Sequence, residues 1–222
     1  MKKLILTVVF SFLYIGSASA DFGLNMGASL QMGAFTADAH EDDSGNTAAP
    51  KDNGSASGAV AYGSVFVEGV LADRFMIGVD YVPDALESET TETAKSDMGV
   101  AAQTQTTVTN KVQVDFEDLT TIYAGLMLND NLYVKAGVVT VDVITNEDMG
   151  TGASYANAEL DGSMFGIGYH NVLDNGVFVR IEGTIMDFDG ATVASTGTAS
   201  TSSITLDSLN GVTGKLSVGK SF

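Results

Sequence analysis

Cysteine is absent from the 222 residues, which excludes structural disulfides, thiolate metal sites and a lipid-modified cysteine anchor. Basic residues are scarce, with 10 Lys and Arg against 28 Asp and Glu. A polyanion needs cationic groups to hold it, so this balance argues against a nucleic-acid partner. Past the N-terminal segment no apolar run reaches 18 residues, and no helical membrane span is expected. Acidic chains are often disordered, yet 45% of the residues are apolar and the mean hydropathy is +0.18. The acids must therefore be segregated from the apolar segments, and membrane residence would have to be by strands.

The N-terminus places Lys2 and Lys3 before an apolar run from Leu4 to Ile15, followed by Gly16-Ser17-Ala18-Ser19-Ala20. Charged, apolar and small-residue parts in that order predict a secretory signal peptide over residues 1–20, cleaved after Ala20. The apolar stretch is short for an uncleaved membrane anchor. Removing it leaves 8 basic against 28 acidic residues, a formal net charge of −20.

From Phe22 to Ala34, apolar Phe22, Leu24, Met26, Ala28, Leu30, Met32 and Ala34 alternate with small or polar residues. Period two over thirteen residues exceeds an ordinary soluble strand and suffices to cross a bilayer obliquely. The same pattern predicts strands at about 58–72, 75–86, 110–128, 132–145, 159–171, 176–188 and 204–222. Short turns fall at Ala72-Asp73-Arg74, Asn129-Asp130-Asn131 and Val172 to Asn175. Long polar connections fall at about 36–57, 87–109, 146–158 and 189–203, the first two rich in acids such as Asp38, Glu41, Asp42, Asp43, Asp52, Glu87, Glu89, Glu92 and Asp97. Alternating short and long connections predict one domain over residues 21–222: a closed antiparallel all-β transmembrane barrel, with eight strands, or ten if the second long connection hides a hairpin. An even count puts both termini in the periplasm and the long loops outside. Of the two prolines, Pro50 lies in the first long connection and Pro83 late in the third strand, where pairing nears the membrane surface.

The chain ends Gly214-Lys215-Leu216-Ser217-Val218-Gly219-Lys220-Ser221-Phe222, alternating up to a terminal aromatic. In this terminus, the signal and the strand spacing, the sequence resembles the small bacterial outer-membrane β-barrel superfamily, including OmpA-like and OmpX-like barrels. The resemblance implies a cell outer-membrane location, contact with outer-membrane lipid and lipopolysaccharide, and recognition of Leu216, Val218 and Phe222 by the barrel assembly machinery. Lys220 departs from the pattern, occupying a place that is usually apolar; at the membrane rim a lysine can snorkel to the headgroups. Phe222 also reads as an interfacial aromatic anchor.

Alternation sorts the charges within the strands. Glu68 lies opposite Val65, Val67 and Leu71; Asp80 opposite Phe75, Ile77, Val79 and Tyr81; Lys135 opposite Leu132, Val134, Ala136 and Val138. Arg180 and Glu182 lie opposite Val177, Val179, Ile181 and Ile185, and Lys215 opposite Leu216 and Val218. Three acids and three bases thus point at one axis at similar heights. An eight-stranded lumen holds only its own side chains, so these six are expected to pair into a charged plug.

Motifs for chemistry are sparse. His40 with Asp38, Glu41, Asp42 and Asp43 could hold a divalent cation only weakly, and no calcium-loop spacing is present. His40 with Ser44 is the one base–nucleophile pair close in sequence, as an outer-leaflet lipid enzyme would need. His170 reads as a polar residue at the lumen mouth. No cofactor, metal or catalytic residue is expected, and glycines such as Gly27, Gly33, Gly166 and Gly168 read as room for crowded interior side chains. The expected function is a structural or cell-surface barrel with a closed lumen and acidic loops. The alternatives are a channel for small or apolar solutes, for whose sideways exit Pro83 is the hint, and a lipid-modifying enzyme.

Overall fold

In the computed structural model, residues 22–43, 52–98, 105–150, 152–196 and 202–222 are described. The predicted signal peptide and Ser44 lie outside them. Strands run in chain order as β1 (Phe22–Asp43), β2 (Asp52–Leu71), β3 (Phe75–Tyr81), β4 (Leu86–Glu87), β5 (Thr91–Met98) and β6 (Gln105–Met127). They continue as β7 (Leu132–Met149), β8 (Ser154–Tyr155), β9 (Ala158–Val172), β10 (Val177–Phe188), β11 (Ala191–Thr196) and β12 (Ser202–Ser221). Eight of these form a ring in the order β1-β2-β3-β6-β7-β9-β10-β12, which closes by antiparallel pairing of β12 with β1. Pairing at the seam runs to the chain end, where Phe222 N donates to Leu24 O at 2.9 Å.

The three short turns have the predicted chemistry. Ala72 and Asp73 both take positive φ (51° and 53°) and Arg74 N bonds Leu71 O, the two-residue hairpin whose twist matches the strands. Asn129 Oδ1 accepts from the amides of Asn131 and Leu132. Gly176 supplies φ +79° while Asn175 Oδ1 accepts from Val177 N. Both described chain ends lie at this short-turn end of the barrel.

The opposite end differs from expectation. Much of the long connections is strand: β1 and β2 stay in register out to Glu41 and Asp52, and β6 and β7, after a register shift between Glu117 and Thr120, stay paired out to Asn110 and Met149. Beyond the apolar band the β1–β2 ribbon carries small or polar residues on both faces, so the alternation that marks a strand is missing there although the pairing persists, whereas β6 keeps it through Val112, Val114 and Phe116. Acids assigned to loops, such as Asp38, Glu41 and Asp42, therefore stand on strands. The second long connection does carry an extra hairpin, β5 on β6, but β5 adds no strand to the ring. The eight-strand count is the one observed.

Outward residues form an apolar belt in which Leu30, Met32, Val138, Phe165, Ile181, Ile185, Val212 and Leu216 are all at least half exposed. Val79 is the exception: it is buried, and its cross-strand partners are Val67 and Ile122.

Inside, space is made by pairing large side chains with glycines across the ladder. Gly27 faces Phe66, Gly78 faces Tyr123, Gly125 faces Met76, Gly168 faces Tyr133, and Gly219 faces Phe178. In each case a Cβ on the glycine would collide with the partner side chain; at Gly78 the Tyr123 Cζ and hydroxyl would lie 2.6 Å from it. The rings lie flat over the neighbouring backbone, which lets a narrow barrel hold them. Replacing Gly78 by valine would displace Tyr123 from a fully packed site, and overpacking of this kind costs about 1–3 kcal/mol. Urea unfolding in lipid is expected to show that loss for Gly78→Val and little change for Gly183→Ala, where an added Cβ meets nothing within 4 Å.

Candidate functional site

The barrel brings the six predicted charges together. Glu68, Asp80, Lys135, Arg180, Glu182 and Lys215 are all buried, and all are ion-paired within the lumen. They form two tiers. Nearest the short turns, Arg180 Nη1 and Nη2 donate to the two oxygens of Glu68 at 2.9 and 2.6 Å. Asn25 Nδ2 donates to Glu68 Oε1 at 2.8 Å and the Tyr123 hydroxyl to Oε2 at 3.0 Å. Each carboxylate oxygen thus accepts two bonds, which uses its full acceptor capacity. Arg180 Nε donates to His170 Nδ1 at 3.0 Å, and the guanidinium lies 4.6 Å from the Phe178 ring centre.

One step further along the axis, Glu182 bridges two lysines, Lys135 at 2.5 Å and Lys215 at 3.7 Å. Lys215 also pairs with Asp80, to which Gln31 Nε2 donates at 3.3 Å. Gln31 Nε2 donates to Ser64 as well, at 2.8 Å. Burying an ion costs several kcal/mol unless partners replace its water. Three carboxylates and three cations, bonded to one another and to neutral donors, meet that requirement.

On the long-hairpin side of the charges the lumen turns apolar. Val82, Leu119, Val139, Val141, Met164 and Met186 pack into one buried cluster with Phe188 and Leu209. Where the two zones meet is a small cavity, with room for a water-sized group, bordered by Gln31, Tyr62, Asp80, Val82, Met164 and Lys215. The Tyr62 hydroxyl is buried and has no hydrogen-bond partner among the described residues.

Beside that cavity the barrel wall is interrupted. β2 pairs with β3 over seven residues only, from Leu71–Phe75 to Val65–Tyr81. From there Val82, β4 and β5 follow β6: Val82 N bonds Leu119 O, Leu86 pairs with Phe116, and Thr91–Met98 pair with Val112–Gln105. β2 itself continues for thirteen more residues, paired with β1 on one side and, among the described residues, with no strand on the other. The free edge begins within the apolar belt, since outward Met32, 68% exposed, sits opposite Ala61, beyond the last β2–β3 pair.

Several of these features were not readable from the sequence. His170, expected at the lumen mouth, is built into the Arg180 tier and stacks on Phe178 with ring centres 5.1 Å apart. Asn25, Gln31, Ser64 and Tyr123 lack the charge that singled out the six, although all lie on inward phases of their strands. Leu216, Val218 and Phe222 face outward, more than half exposed, and Lys220 Nζ reaches Asn175 O at 3.3 Å. His40 stands on the extended part of β1 between Asp207 (Nδ1, 2.8 Å) and Asp42 (Nε2, 3.3 Å). Among the described residues no group of side chains is arranged to hold a metal.

No protein-family model matches the sequence, and no curated protein sequence matches it. Among solved structures the chain is similar to the outer membrane protein OprG from Pseudomonas aeruginosa, with a TM-score of 0.52 at 8% identity over 90% of this chain and 95% of that one. Weaker likenesses extend to Ail, the attachment invasion locus protein of Yersinia pestis (TM-score 0.36, 9% identity, 88% and 99% covered), and to the P. putida toluene transporter TodX (0.27, 10%, 95% and 92%). At such identities the likeness bears on fold alone, and only the first is close enough to bear on it. Ring closure, apolar belt and that likeness agree on the fold: the chain is a closed β-barrel of eight antiparallel strands, similar to that of an outer-membrane protein.

Proposed function

We propose that this barrel passes small apolar solutes from the outside into the bilayer through its side wall, while the charged tiers keep the periplasmic half of the lumen shut. In this reading the termini and short turns face the periplasm and the acidic hairpins face outward. The barrel assembly machinery reads Leu216, Val218 and Phe222, and no catalytic step is involved.

The observation that carries the reading is the free edge of β2 at membrane depth. Unpaired backbone amides and carbonyls are not tolerated against acyl chains; they occur within a membrane only where they line a cavity or are covered by protein. A purely structural barrel would gain by zipping β2 to β3 along its whole length. Here the chain turns away at Val82-Pro83, and proline cannot donate to a ladder. The opening lies where the apolar zone of the lumen meets the charged one, and straight passage downward meets six buried charges.

Because the chain has no cysteine, a bridge across the gap can be placed cleanly. Gly63→Cys with Pro83→Cys, joined by a short bifunctional thiol reagent, is expected to cut uptake of an apolar solute into lipopolysaccharide-containing proteoliposomes by at least tenfold, with each single variant remaining active. Full uptake in the bridged protein would remove the lateral route and leave the surface role.

A further inference from the structure

The Tyr62 hydroxyl is a buried donor with no partner among the described residues, and it borders the cavity where the wall opens. From its place on that cavity, and resting on the lateral-route reading, we infer that the preferred solutes are neutral amphiphiles. Each carries a single hydrogen-bond-accepting oxygen, such as a medium-chain ketone or alcohol, which docks on Tyr62 with its apolar tail against the methionine-lined zone.

Three features select that class. First, a buried hydroxyl without a partner forfeits a hydrogen bond's worth of free energy, which an entering acceptor would restore. Tyr62 is 5% exposed and the cavity that it borders admits one water-sized group, so an entering oxygen has at most a single water to displace. Second, the head has to be uncharged. Asp80 borders the same cavity and would repel an anion, while Lys135 and Lys215 are already held by Glu182 and Asp80. A cation would add an unbalanced charge to a set of three acids and three bases that is already neutral. Third, the cavity is only large enough for a small group, so it suits an oxygen rather than a whole molecule. The tail must lie along Met164, Met186 and Val82, and unbranched methionine side chains reshape to admit it.

Tyr62 sits at the correct place for a gate as well as for a hook. It projects from β2 three residues past the last β2–β3 pair, and Val82 projects from the other side of the break. A solute entering from above would meet the hydroxyl immediately before reaching the free edge. The polar head would thus be held at the level from which the tail can slip sideways into the lipid.

Two measurements on the intact barrel test this, with 2-nonanone and nonane as matched probes. With tyrosine labelled at Cζ and the protein in phospholipid nanodiscs, the Tyr62 resonance is identified by its loss in Tyr62→Phe. Saturable displacement of that resonance by 2-nonanone, and none by nonane, is expected. In proteoliposomes at low solute concentration, Tyr62→Phe is expected to slow ketone uptake roughly three- to tenfold, the equivalent of one neutral hydrogen bond, and to leave nonane uptake unchanged. Equal responses of the resonance to ketone and alkane, or no response to either, would overturn the head site. So would unchanged ketone uptake in a variant that still carries nonane, and in that case the lateral route itself would stand. If neither solute's uptake depends on the protein, the route fails, and the resonance alone decides whether Tyr62 binds an oxygen.

Discussion

Replacing Arg180 by methionine should destabilise the barrel by about 3–5 kcal/mol, the usual cost of stripping one partner from a buried ion pair. The loss follows from the position of Glu68, which is fully buried and receives two of its four bonds from Arg180. Asn25 and Tyr123 remain as donors but neither carries charge, so the carboxylate must either stay ionised without a counter-ion or take up a proton and give up acceptor sites. His170 loses its donor in the same step. Removing both charges, as in Glu68→Met with Arg180→Met, is expected to recover most of the stability, because a dry pair can be exchanged for packed apolar atoms at little net cost. The double-mutant cycle from urea unfolding in lipid should therefore give a coupling of several kcal/mol. If Arg180→Met unfolds within about 1 kcal/mol of the wild type, the tier is hydrated and the pairing contributes little.

This network illustrates how far the residues alone carry. Period two along Phe22–Ala34 and its counterparts placed Glu68, Asp80, Lys135, Arg180, Glu182 and Lys215 on inward phases, and narrowness implied that they meet. Which cation meets which acid was not legible, because it depends on strand stagger: Lys215 on β12 reaches Asp80 on β3, three strands away across β1 and β2, while Glu182 is its direct ladder neighbour. The ring-over-glycine packing is likewise invisible until register is known, since Gly168 and Tyr133 are 35 positions apart in sequence yet directly opposed. The outer ribbons were missed for a different reason. Between Asp38 and Glu41 both faces meet water, so no hydropathy contrast exists for a period to act on, and only backbone pairing reveals the strand. At the wall break, Pro83 did mark the point where the ladder fails, but the loss of pairing belongs to β2, which has no proline and reads as an ordinary strand.

The order of the two lumen zones leads to the other large effect. Downward from the hairpins a polar solute would first cross an apolar cluster and then the charged tiers, and each is a barrier for a different reason. The cluster of Met164, Met186, Phe188 and Leu209 offers an ion no partners, and the charges below fill the bore because each is bonded to another. Seals in series fail only together. Planar-bilayer recordings should therefore show no steady ionic current for the wild type. They should show none when Glu68, Arg180, Glu182 and Lys135 are all changed to serine, and none when Met164, Met186 and Phe188 are changed to alanine. The combined variant should conduct steadily, provided heat-modifiable gel migration shows that it still folds. A current from the serine variant alone would mean that the apolar zone is no barrier to ions. Uptake of nonane supplies the complementary readout: if it leaves by the proposed side-wall route, the serine variant should retain it while the bridge between positions 63 and 83 cuts it at least tenfold. Ions and apolar solutes would then be sorted by one bore with two exits, the lower shut by electrostatics and the lateral one left open by a strand that lacks a neighbour.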